Sequence, residues 1–316
     1  MSGTPSPSDA APGDAVAIGV FDGLHVGHHA ILGRALAIAR ARRGRAVVLS
    51  FDPHPDVVLR KGPLHIPAPL TPELEKRARL AALGVDVLEV LPFTREMAAL
   101  TPEEFITRHV TGPYAPYAVV VGEGFALGRG RSGNVTRLTE IGRTHGFVVE
   151  AVPLALLDGE PVSSTRIRAA LSEGNVGLAA RLFGRRYTLT GRVVTGAGMG
   201  RRLGYPTANL RLHEEKLLPR DGIYAVRAGI GDESPRRQAA MSIGVRPTFD
   251  GTVRTLEVHL IDFDAPLVGR DLTVELVDWL RPELRFDGAE ALAAAIGADV
   301  EETRRRLAEL AAEGSG

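Results

Sequence analysis

The pattern of apolar residues changes near the middle of the chain, and this change predicts two domains of different type. From residue 15 to about residue 153, short apolar runs alternate with stretches of helical periodicity, as expected for a parallel sheet with crossover helices. After residue 186, apolar and polar residues alternate in segments separated by Gly, Pro and Asp, which is typical of antiparallel strands. A chain of 316 residues is long enough to bury two cores. We therefore predict a loose tail over 1–14, an α/β domain over 15–185 and a small antiparallel β-barrel domain over 186–316.

These patterns also place individual strands and a final helix. The strands predicted in the first domain span 15–20, 46–49, 85–91, 118–121 and 147–152. Those predicted in the second span 187–195, 223–228, 255–261 and 272–279. Helical sequence follows from Gly288 onward, and we expect Asp299 to cap a final helix there.

Two helices of the first domain are predicted from Thr-Pro starts, because a threonine hydroxyl can cap free amides and proline suits the first turn. These starts are Thr71-Pro72 and Thr101-Pro102. Glu104 stands three residues after Thr101 and is expected to complete a capping box with it.

Charge and composition exclude several kinds of partner and of functional site. Lys plus Arg and Asp plus Glu both number 38, so no net field attracts nucleic acid or anionic membrane. The chain has no cysteine, which excludes disulfides, thiolate metal sites and thiol nucleophiles. No apolar run approaches the roughly 20 residues that a membrane-spanning helix needs. We expect a cytoplasmic protein that acts on small molecules, with no nucleic-acid or membrane partner, as a monomer or transient homo-oligomer.

Two histidines lie between the first predicted strand and the helix after it, in the segment FDGLHVGHH at 21–29. A helix start offers free amides and a partial positive charge to a phosphate. Gly27, like Gly23 in the same predicted binding loop, lets a ligand approach the backbone. The imidazoles of His25 and His28 add donors to oxygens that gain charge during transfer, and Asp22 could orient one of them or a metal ion. Out of context this is equally an ordinary loop, but its strand–helix position favours a phosphate site.

Two further segments follow predicted strands and should reach the same edge of the sheet, where open α/β folds bind ligands. Asp52 follows the second strand, and alone it would indicate only a turn. After the fourth strand comes a glycine-rich loop that contains Gly124 and Arg131. Such a loop can hold a flat ring or phosphates, although glycine-rich loops are common.

Hydroxyl and guanidinium groups also open a later helix. Ser163, Ser164 and Thr165 are followed by Arg166 and Arg168. Hydroxyls and guanidinium groups at a helix start suit a triphosphate. The alternative is a plain Ser/Thr helix cap.

The second domain carries another glycine-rich segment, followed by a strand with an acidic residue. The segment can close over phosphates, and its binding candidates are Gly196, Gly200, Arg201, Gly204 and Pro206. Just beyond it, Thr207 and Asn209 can offer oxygens to a hard cation.

On the strand predicted at 255–261, Glu257 and His259 share the face opposite the apolar one. An acid there could take the proton of an attacking alcohol. The alternatives are a mere turn for the glycine-rich segment and an ordinary surface glutamate for Glu257.

Taken together, these segments resemble the bifunctional prokaryotic riboflavin kinase and FAD synthetase family over nearly the whole chain after the tail. The similar stretches include AIGVFDGLHVGHHAIL, FDPHP, VSSTRIRAAL, GRRLGYPTANL, LEVHLIDFD and LRPELRF, all in the family's order. The resemblance implies a Rossmann-like nucleotidyltransferase domain, then a six-stranded flavokinase barrel with a C-terminal helix. Riboflavin would be phosphorylated to FMN, and FMN adenylylated to FAD, with ATP as co-substrate and Mg²⁺ as cofactor.

The resemblance also implies roles for residues. His25 and His28 would stabilise charge on the α-phosphate of ATP as the FMN phosphate attacks it. Glu257 would be the base for the ribityl 5′-hydroxyl. The remaining expected contacts are ATP phosphates for Ser164, Thr165 and Arg168, Mg²⁺-ATP for Thr207 and Asn209, and the flavin for Arg281, Glu283 and Phe286.

Two positions depart from the family's pattern. Gly124 stands where Asn or Asp is usual, which removes a polar contact expected near the flavin of the adenylylation site. Ser242 replaces an Asn. Three alternatives stay open: a kinase whose adenylylation half is inactive, a non-enzymatic flavin-binding protein, and a cytidylyltransferase joined to an unrelated β domain. FAD formation, flavin binding without turnover, and preference for CTP over ATP would distinguish them.

Overall fold

The chain divides after Ser163 into two units, each with its own core. The computed structural model describes residues 13–59, 68–196, 198–248 and 251–313. Most of the predicted tail, residues 1–12, lies outside the described residues, and Asp14, which we assigned to the tail, lies in the first strand. The domain boundary proposed from the sequence, 185/186, falls further along the chain than this division and remains a proposal.

A five-stranded parallel sheet forms the centre of the first unit, and each strand overlaps one of the five predicted. The strands are β1 (Asp14–Ile18), β2 (Ala46–Asp52), β3 (Val87–Pro92), β4 (Pro116–Gly122) and β5 (Val148–Val152). They are ordered β3-β2-β1-β4-β5. Val16, Val47 and Val119 are fully buried, as expected for strands covered on both faces. The prediction of a parallel sheet is confirmed.

Helices connect these strands. They are α1 (Val26–Ala41), α2 (Pro55–Leu59), α3 (Glu73–Ala82), α4 (Arg95–Ala99), α5 (Pro102–Ile106) and α6 (Val135–His145). A π-helical turn at Thr107–Thr111 extends α5, and a 3₁₀ turn spans Arg129–Arg131. Two-residue strands pair Ala126–Leu127 with Gly133–Asn134, and Leu156–Leu157 with Glu160–Pro161.

The two Thr-Pro starts behave differently. Thr101 and Glu104 form the predicted capping box, in which the Thr101 hydroxyl accepts from the Glu104 amide at 3.2 Å. The prediction for Thr71 is wrong, because α3 starts at Glu73 with Pro72 as its N-cap and no side-chain cap. The Thr71 amide donates a hydrogen bond to the Asp22 carboxylate.

The strand order places the ends of three strands next to one another at one edge of the sheet. Because the strands are parallel, β1, β2 and β4 all end at the same edge of the sheet. The order of strands reverses between β1 and β4, which is where open α/β sheets bind ligands. Helix α1 starts at this point and buries Leu32, Ala35 and Ile38 against the sheet.

The second unit is a closed six-stranded antiparallel barrel. Its strands are β6 (Thr188–Val194), β7 (Ala208–Leu212), β8 (Gly222–Ile230), β9 (Arg237–Thr248), β10 (Gly251–Leu260) and β11 (Asp271–Arg281), in the order β6-β7-β10-β9-β8-β11. The four strands predicted from alternation are confirmed. Strands β7 and β9 were not predicted, because β7 is short and β9 begins with small and polar residues.

Helices α7 (Ser164–Ser172), α8 (Val176–Phe183), α9 (Met199–Arg202) and α10 (Ala289–Glu313) complete this unit. The expected cap at Asp299 is wrong, since α10 runs through it without a break. The Asp299 carboxylate instead accepts two hydrogen bonds from the Arg281 guanidinium, from Nε at 2.7 Å and from Nη2 at 2.6 Å. Within the described ranges, no helix is both long and apolar enough to cross a membrane.

The capping box gives a stability prediction. Thr101→Ala removes the oxygen that accepts the Glu104 amide, so the free energy of unfolding should fall by about 1 kcal/mol. Urea unfolding followed by circular dichroism measures this change. Thr101→Ser keeps the hydroxyl and should stay close to the parent protein; equal losses for both variants would show that the cap is not the cause.

Candidate active sites

The two motif histidines are stacked at the start of α1. His25 is the N-cap residue, and its Nδ1 accepts a hydrogen bond from the His28 amide at 3.3 Å. The two rings are nearly parallel, with centroids 3.6 Å apart. This local cap fixes both imidazoles at the edge of the sheet, where the first free amides of α1 also point.

Close packing holds this arrangement. A Cβ at Gly27 would lie 3.2 Å from the His25 ring, so a larger residue would push the imidazole away. Phe21 packs its edge against His28 with ring centroids 5.3 Å apart. The loop reaches this geometry through left-handed backbone at Phe21, Gly23 and Leu24, a region that glycine enters without strain.

Burial keeps His28 neutral. Its Nδ1 is inaccessible to solvent and has no hydrogen-bond partner in the part of the chain that the structure describes. Burial, with smaller effects from the charges of His25, Lys76 and His29, holds the pKa of His28 well below its usual value. The imidazole therefore meets a ligand as a neutral donor.

Lys76 is a site residue that the sequence analysis missed. Its ammonium group donates to the Val20 carbonyl at 3.0 Å and to the Ser50 hydroxyl at 3.2 Å. It thus joins the ends of β1 and β2 beneath the histidine loop. Burial lowers its pKa, and the carboxylates of Asp22 and Asp52 oppose that shift. The available signal was that Lys76 and the fully buried Leu80 stand four residues apart on one helix face.

The other predicted residues of this edge are placed as follows. Asp22 is buried, and one carboxylate oxygen accepts the amides of Leu70 at 2.9 Å and Thr71 at 3.1 Å. Asp52 ends β2 and is exposed. Gly124 follows β4, and the Arg131 guanidinium lies 3.4 Å from its carbonyl oxygen.

The Ser/Thr/Arg segment begins α7, as predicted, but it lies across the division of the chain. Ser163 is the last residue of the first unit, whereas α7 belongs to the second. Ser164 and Arg168 are four residues apart and share a helix face, next to the exposed Thr165. Their assignment to ATP phosphates remains a prediction.

In the barrel, a cavity of about 880 Å³ contains the predicted base. Glu257 and Thr207 both line it, and the Thr207 hydroxyl donates to the Glu257 carboxylate at 3.3 Å. The apolar part of its wall includes Leu203, Leu292 and Ile296. The prediction that Glu257 and His259 share the face opposite Leu256 and Leu260 is confirmed, since both leucines are buried and both polar residues line the cavity.

A smaller cavity of about 200 Å³ adjoins Thr207 from the other side. Of the predicted loop residues, Gly196, Arg201 and Pro206 line this cavity, Gly200 lines the larger one, and Gly204 bends the loop with left-handed backbone. A Cβ at Gly200 would lie 2.3 Å from the Tyr205 carbonyl oxygen, so only glycine allows the loop to close on itself here.

The donors present fit Mg²⁺ bound together with phosphates. Asn209 is paired with Glu257 across strands β7 and β10, so the two side chains are neighbours on one face. With the Thr207 hydroxyl, they bring amide, hydroxyl and carboxylate oxygens together, the ligand types that Mg²⁺ prefers. Among the described residues there is no cluster of three or more His, Asp or Glu side chains able to hold a metal.

At the far wall of the large cavity, two residues predicted near a flavin meet partners that the sequence did not indicate. Arg281 is held by Asp299, as described above. The Glu283 carboxylate accepts a hydrogen bond from the Ser242 hydroxyl at 3.0 Å. Ser242 therefore keeps a polar contact at the position where the family has Asn.

Comparison with protein families also divides the chain into two regions. The FAD synthetase family model matches residues 8–166, and the riboflavin kinase family model matches residues 183–307. Each match contains one of the two groups of candidate residues described above, apart from Arg168, which lies just beyond the end of the first match.

Similar proteins match nearly the whole chain. The bifunctional riboflavin kinase/FMN adenylyltransferase of Listeria monocytogenes is 36% identical over 93% of both chains. The enzyme of the same name from Escherichia coli is 37% identical over 91% of this chain and 90% of its own. A crystal structure described as a macrolide-efflux protein from Streptococcus pneumoniae has a TM-score of 0.83 and 31% identity, covering 94% of this chain and 96% of its own. The chain belongs to the bifunctional riboflavin kinase/FMN adenylyltransferase family.

Proposed function

We infer that this chain catalyses two consecutive ATP-dependent reactions: it phosphorylates riboflavin to FMN, and it adenylylates FMN to FAD with release of pyrophosphate. The observation that carries this conclusion is the match of both family models to separate regions of one chain. Relatives named for both activities cover more than nine-tenths of the sequence. It is a bifunctional flavin-cofactor biosynthesis enzyme.

For adenylylation, we propose that ATP binds at the start of α1. An FMN phosphate oxygen attacks the α-phosphorus, the bond from that phosphorus to the bridging oxygen breaks, and pyrophosphate leaves. His25 and His28 would donate hydrogen bonds to the α-phosphate oxygens as these gain charge. The stacking of the two rings supports this assignment, because it holds both imidazoles in one place before ATP arrives.

The remaining contacts of this reaction are proposed from the placement of residues at the sheet edge. Gly23 and Gly27 would let the nucleotide approach the backbone, and Asp22 would hold their loop in place through the Leu70 and Thr71 amides. Asp52 and the loop from Gly124 to Arg131 would contact ATP or FMN. The family resemblance implies that Ser164, Thr165 and Arg168 hold the phosphates of ATP, and we propose the same role for Ser163.

For phosphorylation, we propose that the large barrel cavity holds the flavin and the small one holds the nucleotide. Glu257 would accept the proton of the ribityl 5′-hydroxyl, whose oxygen attacks the γ-phosphorus while ADP leaves. Thr207 and Asn209 would hold Mg²⁺-ATP; when bound, the cation neutralises phosphate charge. The supporting observation is that Thr207 lines both cavities and contacts Glu257.

The shape and chemistry of the large cavity support flavin binding there. Its volume of about 880 Å³ is in the range of small-molecule sites. Leucine and isoleucine side chains suit the flat apolar ring system of a flavin. Arg281 and Glu283 would contact its polar edge, and the Glu283 carboxylate is already oriented by Ser242.

The two reactions should be separable by single substitutions. His28→Ala should lower FAD formation from supplied FMN by about 10²–10³-fold, because it removes a donor to the transition state. Glu257→Gln should lower FMN formation by about 10²–10⁴-fold, because the amide cannot accept the proton. Chromatography of flavin products measures both reactions.

Each variant is the control for the other, because His28→Ala should keep FMN formation and Glu257→Gln should keep FAD formation from supplied FMN. Loss of both reactions in a variant that is still folded would show that the two sites are not separate. A parent protein that makes FMN but no FAD or pyrophosphate would instead indicate that the adenylylation half is inactive.

The departure at Gly124 can be tested by restoring the usual side chain. A Cβ at Gly124 meets no atom within 4 Å, and the residue does not need left-handed backbone. Gly124→Asn should therefore fold normally and, by adding a polar contact to the flavin, lower the KM for FMN by about tenfold. Gly124→Ala fills the space without the polar group and should leave the KM unchanged; an equal effect of Ala and Asn would contradict the proposed contact.

The protonation state of His28 predicts a pH dependence of stability. Because its pKa is lower in the folded protein, the unfolded chain binds the extra proton first as the pH falls below about 6.5. Stability should therefore be lost from about pH 6.5 downward, with a slope of up to ~1.4 kcal/mol per pH unit from this residue. Urea unfolding of the parent protein and His28→Asn should show a flatter profile for the variant, and identical profiles would show that His28 is not neutral in the fold.

A further inference from the structure

His259 lies beside the proposed kinase base but has no part in the mechanism above. It stands two residues after Glu257 on β10 and lines the same cavity. We propose that His259 is a positioning residue for phosphoryl transfer: it fixes the Pro206 carbonyl and thereby holds Thr207 beside Glu257. This inference rests on the proposed kinase function of the barrel.

The contact itself determines which atom carries the proton. His259 Nδ1 lies 2.8 Å from the Pro206 carbonyl oxygen. A carbonyl oxygen can only accept, so Nδ1 must carry a hydrogen and donate it. Tyr205 packs edge-on against the ring, with centroids 5.6 Å apart, which further restricts the orientation of the imidazole. His259 therefore binds the loop through a defined donor.

Among the residues that the structure describes, backbone hydrogen bonds do not join residues 199–206 of this loop to the barrel. Backbone hydrogen bonds of the loop, such as Tyr205 N–H to the Gly200 carbonyl at 2.8 Å, are made within the loop. Pairing between β7 and β10 starts only at Ala208, and Pro206 has no N–H to contribute. The His259 contact thus anchors the loop at the residue just before Thr207.

The planar peptide bond between Pro206 and Thr207 transmits the effect of the His259 contact to Thr207. The Pro206 carbonyl and the Thr207 nitrogen belong to one planar unit. Fixing the carbonyl therefore fixes the direction in which the Thr207 backbone leaves that plane. The Thr207 hydroxyl is 3.3 Å from the Glu257 carboxylate and borders both cavities. Without the His259 hydrogen bond, the Pro206 carbonyl could reorient. Thr207 could then move away from both the Mg²⁺-ATP site and Glu257.

Two amide substitutions separate the hydrogen bond from the bulk of the ring. His259→Asn places a side-chain N–H near the position of Nδ1, whereas His259→Gln places its amide nearer the position of Nε2. His259→Ala removes both. The experiment measures steady-state riboflavin phosphorylation at varied Mg²⁺-ATP for the parent protein and these three variants, with FMN adenylylation as the internal control.

We expect His259→Ala and His259→Gln to lose about tenfold or more in kcat/KM for Mg²⁺-ATP, as the loss of one well-placed hydrogen bond implies. His259→Asn should stay within about threefold of the parent protein, and adenylylation of supplied FMN should be unchanged in all three. A purely structural role of the ring would instead affect Asn and Gln equally.

Unchanged kcat/KM in His259→Ala, or equal losses in His259→Asn and His259→Gln, would overturn the proposal. If His259→Ala fails to fold, as judged by the fluorescence of Trp279 in β11, the Asn and Gln pair still decides. If the parent protein does not phosphorylate riboflavin, the proposed function fails, and calorimetric titration with Mg²⁺-ADP then tests the positioning alone. Weaker binding of Mg²⁺-ADP to His259→Ala and His259→Gln than to His259→Asn and the parent protein would support the positioning role. Equal affinities would reject it.

Discussion

Strand register is the constraint on which both candidate sites depend. In the first unit, parallel pairing brings the ends of β1, β2 and β4 to one edge, so that the histidine loop, Asp52 and the loop at Gly124 lie along the same border. In the barrel, the pairing of Asn209 with Glu257 places an amide beside a carboxylate. A shift of one residue in the barrel register would turn every side chain of the shifted strand to the opposite face, and Asn209 would then no longer lie beside Glu257.

Hydrogen bonds and ion pairs of buried polar groups fix the side chains that strand pairing places near one another. Lys76 joins β1 and β2 through the Val20 carbonyl and the Ser50 hydroxyl, and its charge adds to the burial that keeps His28 neutral. In the barrel, Asp299 holds Arg281 at the cavity wall. Buried charges are stable only when they are paired or hydrogen-bonded. These contacts therefore fix the shape of each site before a substrate binds.

Much of the fold and part of each site could be predicted from local pattern. The five strands of the parallel sheet, the capping box at Thr101 and the histidine loop at the start of α1 depend on residues close together in sequence, and each was found. The Thr71 cap and the Asp299 cap were predicted from equally local signals and were wrong. In both cases the residue instead contacts a partner distant in sequence: the Thr71 amide donates to Asp22, and the Asp299 carboxylate accepts from Arg281.

The sequence by itself determined the order and type of most secondary-structure elements and the chemical groups at the strand–helix turns, because periodicity, caps and turn residues act over only a few positions. It also indicated the family, through motifs that are each contiguous. Only the tertiary structure decided which distant groups meet: Lys76 with Ser50, His259 with Pro206, and Arg281 with Asp299. It also decided that His28 is neutral, because a pKa depends on burial and neighbouring charge, which are properties of the folded chain.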